Sequence, residues 1–165
     1  MKYLIPKAAA IIIITFCSLS LSAQDSQITP VTAKNTAYAE FTVGGLKGVW
    51  YSASVNYERH LFKENELLTT SLRLGFGGWV NYGVGGKEFI GSLQFLIGRN
   101  APRFEIQAGY AYIIGDDGHN PQSEIKEGIP VFNAGFRYQK RDGGFMFKIT
   151  GGTWGFVNLA LGYSF

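Results

Sequence analysis

The side chains most capable of chemistry in this sequence gather between residues 115 and 128. This segment contains His119, one of two histidines in the chain, together with Ser123 and Glu124. A serine, a histidine and a carboxylate form the set that activates a hydroxyl for attack on an ester carbonyl. Hydrolysis of an acyl ester is therefore the first chemistry to consider, although these three residues lie on a polar connection and not on a strand.

The same segment is rich in oxygen atoms that could bind a cation. Carboxylate and amide oxygens suit Ca²⁺, but the run from Asp116 to Asn120 lacks the alternating spacing and the distal glutamate of an EF-hand loop. We interpret the segment as a solvated acidic loop and predict neither a metal nor a cofactor. Its candidate surface residues are Asp116, Asp117, His119, Asn120, Ser123 and Glu124.

Two further features are weaker candidates for a site. The stretch 83–87 is rich in glycine and ends in Lys87, but Glu88 follows where a phosphate-binding loop has Ser or Thr, and the first glycine is missing. We interpret this stretch as part of a flexible loop. His60 ends a strand beside a turn and is interpreted as an interfacial residue. The sequence thus predicts no catalytic residue.

The loops that contain these candidate residues are predicted to connect β-strands, because eight segments of the chain have a two-residue hydrophobic period. The fifth is the clearest, because Phe104, Ile106 and Tyr110 share one face while Glu105 and Gln107 share the other. The fourth, about 89–97, is nearly all apolar, and the pattern does not reveal its phase. We predict an all-β, eight-stranded, antiparallel, up-and-down transmembrane β-barrel. Its connections are predicted at 61–67, 98–102 and 140–143 on one side, and at 44–48, 78–87, 115–128 and 152–155 on the other.

The two faces of the predicted strands differ in bulk. One face is aromatic and aliphatic, whereas the other is rich in Gly, Ala, Ser, Asn and Gln. An eight-stranded barrel has an interior just wide enough to be filled by side chains, so the smaller polar face is predicted to point inward. A lipocalin-like barrel with the apolar face inside is the alternative. Buried charges require partners, and the predicted inward charges balance: Glu40, Glu58 and Glu105 against Arg73, Arg137 and Lys148.

The first 23 residues have the layout of a secretory signal peptide. Lys2 and Lys7 precede an apolar run at 8–16 and a small-residue stretch at 18–23, and the run is too short to span a bilayer as a helix. Cys17 raises a lipoprotein alternative, which the bulky Phe16 before it disfavours. Residues 24–35 are predicted to form a short polar tail, and 36–165 the barrel.

Without the signal peptide, the chain is cysteine-free and nearly neutral. Thirteen Lys and Arg then stand against twelve Asp and Glu, and no basic cluster or stripe is present, so we predict no nucleic-acid partner. The absence of cysteine excludes disulfides and thiol chemistry from the mature chain.

The last strand alternates up to an aromatic final residue, with Leu161, Tyr163 and Phe165 on one face. This ending resembles the C-terminal assembly signal of Gram-negative outer-membrane barrels. Two more strand ends carry the resemblance, 54–59 (SVNYER) and 135–139 (GFRYQ), the latter before the Asp142-Gly143 hairpin turn. Over the whole mature chain, the pattern resembles small eight-stranded outer-membrane barrels of the OmpX and OmpA-transmembrane type, and the outer-membrane β-barrel proteins common in Bacteroidetes.

The resemblance implies Sec-type export, the bacterial outer membrane as location, and the outer-membrane lipid, lipopolysaccharide and the assembly machinery as partners. Members of this group serve as envelope stabilisers, adhesins or enzymes, so the fold leaves the function open. We expect a non-enzymatic, non-porin barrel with a structural or surface-interaction role through its outer loops. The alternatives are a lipid A deacylase-like enzyme, whose family has a close His-x-Ser pair that is not matched here, and a narrow channel.

If Phe165 belongs to the assembly signal, its loss affects targeting and not export. We expect that deleting Phe165, or replacing it with Asp, lowers the outer-membrane level of the protein while signal cleavage is unchanged. Cell fractionation and immunoblotting measure both quantities. Unchanged insertion would mean that Phe165 is not needed for targeting, and the terminal strand would then no longer support an outer-membrane location.

Overall fold

The computed structural model describes residues 33–44, 49–61, 67–82, 84–99, 101–117, 120–140 and 142–165, with the backbone alone at positions 116, 117 and 120–124. The predicted signal peptide and most of the predicted polar tail lie outside the described residues. Among the residues described, no helix is long and apolar enough to cross a membrane.

Eight antiparallel strands form one closed barrel. Each strand pairs with the next in chain order, and the last pairs with the first, over Thr36–Ser164 to Val43–Val157. The predicted eight-stranded antiparallel up-and-down barrel is therefore confirmed. The strands are β1 (Asn35–Val43), β2 (Tyr51–His60), β3 (Leu68–Asn81), β4 (Val84–Ile97), β5 (Arg103–Asp117), β6 (Asn120–Gln139), β7 (Gly144–Gly152) and β8 (Val157–Ser164).

The polar face of the strands lies inside the barrel. Burial alternates residue by residue along β1 and β2, as the pleat of a strand requires. The outward side chains are mostly apolar and exposed, for example Val55 at 65% and Leu74 at 58%, whereas the inward Glu58 and Arg73 have no exposed surface. The lipocalin-like alternative, with the apolar face inside, is therefore wrong.

The strands that flank three of the predicted connections end and begin where the sequence indicated. The strands stop at His60, Ile97 and Gln139 and resume at Leu68, Arg103 and Gly144. Gly143 has a φ of 98°, and its N–H donates to the Lys140 carbonyl at 3.4 Å, consistent with the turn expected there. We call the barrel end with these three connections the proximal rim and the opposite end the distal rim.

Two predicted distal loops are in fact strands. The segment predicted as a loop at 78–87 continues β3 to Asn81 and β4 from Val84, and that at 115–128 continues β5 to Asp117 and β6 from Asn120. Glycine was misleading here, because Gly86 packs against the backbone of Ile114 and Gly115, where a side chain would not fit. Glycine thus permits close pairing at this point and does not mark a loop.

The longer strands make the barrel wall uneven at the distal rim. β6 pairs with β7 only from Asn133 to Gln139, so residue 120 and residues 124–132 of β6 pair with β5 alone. Thr153 closes the step, since its N–H donates to the Phe132 carbonyl at 2.9 Å and its hydroxyl donates to the Pro130 carbonyl at 3.0 Å. The wall formed by β3 to β6 therefore rises above the other strands.

Candidate functional site

The six predicted interior charges form one chain of alternating sign across the barrel. Each member lies within 3.2 Å of the next, counted between the charged nitrogen and oxygen atoms. The members come from six strands, so the chain links the opposite walls of the barrel. In order, they are Glu58 (β2), Arg137 (β6), Glu105 (β5), Lys148 (β7), Glu40 (β1) and Arg73 (β3).

Arg137 has the most contacts in this chain. Its Nη1 and Nη2 donate to the two carboxylate oxygens of Glu58, both at 2.7 Å, and its Nε lies 2.7 Å from Glu105 Oε2. This bidentate arrangement matches the geometry of a guanidinium to that of a carboxylate. At the other end, Arg73 Nη2 donates to Glu40 Oε1 at 2.7 Å and its Nε donates to Asn56 Oδ1 at 2.8 Å.

Tyr38 stands at the centre of the charged groups. Its ring centroid is 4.7 Å from Lys148 Nζ, and the guanidinium carbons of Arg73 and Arg137 are 5.6 and 6.0 Å away. Cations at these distances are attracted to the ring face. The Tyr38 hydroxyl also accepts hydrogen bonds from Lys148 and from Gln94, each at 3.3 Å. This aromatic side chain therefore holds three cations near one another.

Large polar side chains fill the space around the charge chain. Gln94, Gln107 and Gln139 are each at most 1% exposed, and Gln139 Nε2 donates to Thr36 Oγ1 at 3.3 Å. The proximal half of the barrel interior is thus packed with hydrogen-bonded side chains, as expected for eight strands.

Two interior charges were missed by the sequence analysis. Glu88 and Arg103 are inward and at most 1% exposed, and Arg103 Nη1 donates to Thr69 Oγ1 at 3.3 Å. Glu88 fell between the loop predicted at 78–87 and the strand predicted from about Phe89, and Arg103 fell between the turn predicted at 98–102 and the strand predicted from Phe104. Extending the two-residue period backwards from Gln94 and from Glu105 would have found both.

The distal half of the interior contains an apolar cluster. Ile90, Ala111, Ile129 and Val131 form one buried cluster with Trp50, Ile113 and Trp154, and Trp79 and Ile125 pack against it. Trp50 and Trp154 meet edge to face, with their ring centroids 4.5 Å apart. Above this cluster lies a cavity of about 370 Å³, which we call the distal cavity. It is lined by Trp50, Trp79, Asn81, Tyr82, Val84, Ile113, Ile125, Glu127, Ile129 and Trp154.

The predicted loop surface is on the β5–β6 hairpin. Asp116 and Asp117 end β5, and Asn120, Ser123 and Glu124 begin β6, while His119 lies outside the described residues. The side chains of the serine, histidine and carboxylate considered at this hairpin thus fall outside the described part of the structure. Among the residues that are described, no group of three or more His, Cys, Asp or Glu could hold a metal ion.

The three residues of the predicted assembly signal lie on the outer surface of β8 and just after it. Leu161, Tyr163 and Phe165 are between 56% and 61% exposed. Phe165 exchanges two backbone hydrogen bonds with Asn35, at 2.8 and 2.9 Å. The terminal strand thus closes the barrel against β1, and its aromatic side chains face outward.

No protein-family model matches this chain, and no curated protein matches it either.

The charge chain predicts unequal effects for its two arginines. Arg137→Ala leaves both Glu58 and Glu105 short of a partner, so the free energy of unfolding should fall by about 3–5 kcal/mol. Arg73→Ala should cost less, because Lys148 still pairs with Glu40. Equilibrium unfolding in detergent with urea measures both changes.

Arg59 provides the matched control, since it lies next to Glu58 on β2 but is exposed. Arg59→Ala should change the free energy of unfolding by no more than about 0.5 kcal/mol. An Arg137→Ala protein as stable as the Arg59→Ala protein would contradict the buried pairing.

Proposed function

We propose that this protein is an integral barrel of the bacterial outer membrane, related in architecture to the OmpX-like barrels, with a non-enzymatic role in the envelope. The observation that carries the proposal is the exposed apolar surface. Large apolar side chains cover the outward face all around the barrel, including Val55, Leu74, Ile106 and Leu159 at 40–65% exposure. Water disfavours a surface of this extent, whereas hydrocarbon accommodates it.

The distribution of outward aromatic side chains supports the same location. Tyr57, Tyr138 and Tyr163 lie near the proximal rim. The stacked pair Phe41–Tyr51 and the tilted pair Phe76–Phe89 lie toward the distal rim. Aliphatic residues occupy the wall between them. Aromatic girdles flanking an aliphatic band are typical of outer-membrane barrels, because aromatic rings favour the two membrane interfaces.

The packed interior favours a barrel that does not conduct. The charge chain crosses from β2 to β3 through four other strands, and glutamines fill the space beside it. Moving ions past these groups would require several buried pairs to separate, which is costly. We therefore propose a structural or surface-interaction role in place of a pore.

The distal rim is the part of this barrel best suited to contact a surface partner. In bacterial barrels the chain termini and the short turns face the periplasm, which directs the distal rim outward. The β5–β6 hairpin rises highest there and carries Asp116, Asp117 and Glu124. Binding residues tend to be mounted on the connections of a rigid scaffold, so we propose this hairpin as the contact surface.

Heat modifiability tests the location. A closed barrel keeps its backbone hydrogen bonds internal and resists unfolding by detergent. The protein refolded in detergent without residues 1–23 should therefore migrate differently in SDS gels before and after boiling. Identical mobility, combined with solubility in detergent-free buffer, would overturn the proposed outer-membrane location.

Shortening the β5–β6 hairpin tests the role. Gly115 pairs with Ile125, so Asn-Gly in place of residues 116–124 would close a two-residue turn between them. Folding and heat modifiability should be preserved, because the removed residues lie above the ring that all eight strands close. The shortened protein should fail to complement a surface-interaction or envelope-integrity phenotype of a deletion strain.

The full-length protein expressed at the same level is the control for complementation. Complete complementation by the shortened protein would place the function in the barrel wall or interior. Failure of the shortened protein to fold would instead give the hairpin a structural role.

A further inference from the structure

The distal cavity is a preformed space of the size that small-molecule sites have. Its volume of about 370 Å³ lies within the usual range of ligand pockets. It reaches the distal rim, because its lining includes Tyr82, which belongs to the β3–β4 turn and is 88% exposed. A small molecule could therefore enter from outside the barrel without passing the charge chain.

Tryptophan dominates the chemistry of this cavity. The chain has three tryptophans, and all of them, Trp50, Trp79 and Trp154, line the cavity although they come from separate parts of the sequence. The face of an indole ring attracts cations more strongly than other aromatic side chains do, and aromatic cages of this kind recognise quaternary ammonium groups. The cavity wall thus suits an apolar molecule that carries a positive charge.

Glu127 lines the distal cavity, and Glu88 lies in the same row of the sheet, behind the cavity lining. Ile113, which lines the cavity, pairs with Glu88 of β4 on one side and with Glu127 of β6 on the other. Glu127 itself lines the cavity. Side chains that are paired in register lie on the same face of the sheet, so both carboxylates are on the inner side of the wall.

Glu88 is a buried acid without a matching base. It has no exposed surface, and its side-chain hydrogen-bond partner is the Ser52 hydroxyl, which carries no charge. Arg73 is the positive group that acts on it, but Arg73 already binds Glu40 at 2.7 Å. A buried carboxylate without a cation of its own is costly, and a cation in the neighbouring cavity would lower that cost.

The interior charges are segregated along the barrel. Among the described residues, the buried cations are Arg73, Arg103, Arg137 and Lys148, and all of them lie toward the proximal rim. Glu88 and Glu127 stand on the distal side, with Asn81 Oδ1 as a further acceptor that has no partner. The distal cavity therefore combines an aromatic wall with negative charge.

We propose that the distal cavity binds a small apolar organic cation, with an ammonium group held by the tryptophan faces and Glu127 and attracted by Glu88 behind the cavity lining. The apolar body of the ligand fills the space against Ile113, Ile125 and Ile129. This site is separate from the proposed contact surface on the β5–β6 hairpin, and it is filled from the distal rim.

Intrinsic fluorescence tests the proposal directly, since every tryptophan of the protein lines the cavity. The refolded protein in maltoside micelles is titrated with phenyltrimethylammonium and, separately, with tert-butylbenzene, its uncharged isostere, at free concentrations fixed by dialysis. We expect a saturable change in tryptophan fluorescence with the cation, at an affinity about tenfold or more above that for the isostere.

Glu88→Gln is the decisive variant, because it removes the charge with little change of shape. It should reduce the affinity for phenyltrimethylammonium about tenfold and leave that for tert-butylbenzene unchanged. Phe89→Leu is the control, since Phe89 neighbours Glu88 but faces outward, and it should bind both probes as the unaltered protein does. Trp79→Phe provides a second test of the aromatic wall and should also weaken binding of the cation.

Three results would overturn the proposal. Equal affinity for the two probes in the unaltered protein would reveal an apolar pocket without preference for charge. Binding of the cation that Glu88→Gln leaves intact would remove the carboxylate from the site. No saturable change with either probe would mean that the cavity takes no such ligand, and because heat modifiability is measured independently, that result would leave the proposed membrane location unaffected.

Discussion

The chain of six alternating charges is the constraint on which the rest of the barrel depends. Carboxylates and cations on six strands can be buried only if every one finds a partner, and Arg137 alone satisfies two acids, Glu58 and Glu105. A shift of any one of these six strands by one residue would turn its charged side chain outward and leave the partner of that side chain unpaired. The charge chain therefore ties the register of the wall to the packing of the interior.

The charge chain also explains why the barrel interior has two different halves. Where β1, β2, β7 and β8 stop, fewer strands are available to supply matching charges, and the taller wall of β3 to β6 carries Ile113, Ile125 and Ile129 instead. The tryptophans cover this apolar wall but do not fill it, which leaves the distal cavity. Glu88 lies at the boundary between the halves, beyond the cations of the charge chain that would pair with it.

The outer surface and the distal half of the interior support separate proposals about function. The exposed apolar wall carries the proposal of an outer-membrane location, and the packed proximal half favours a barrel that does not conduct. Both proposals about recognition, at the β5–β6 hairpin and in the distal cavity, concern the distal rim. The two surfaces share strands β5 and β6.

The sequence by itself determined the number of strands, the inward side of every strand except the fourth, three proximal connections and the identity of six interior charges, because a two-residue period is a local property of the chain. It did not reveal that β3 to β6 extend past the other strands, since glycine at Gly86 and the polar residues after Gly115 are equally typical of loops. Only the tertiary structure decided which charges pair, because partners such as Glu58 and Arg137 are 79 residues apart. The distal cavity likewise depends on closure of the barrel, which brings together Trp50 and Trp154 from two connections and Trp79 from β3.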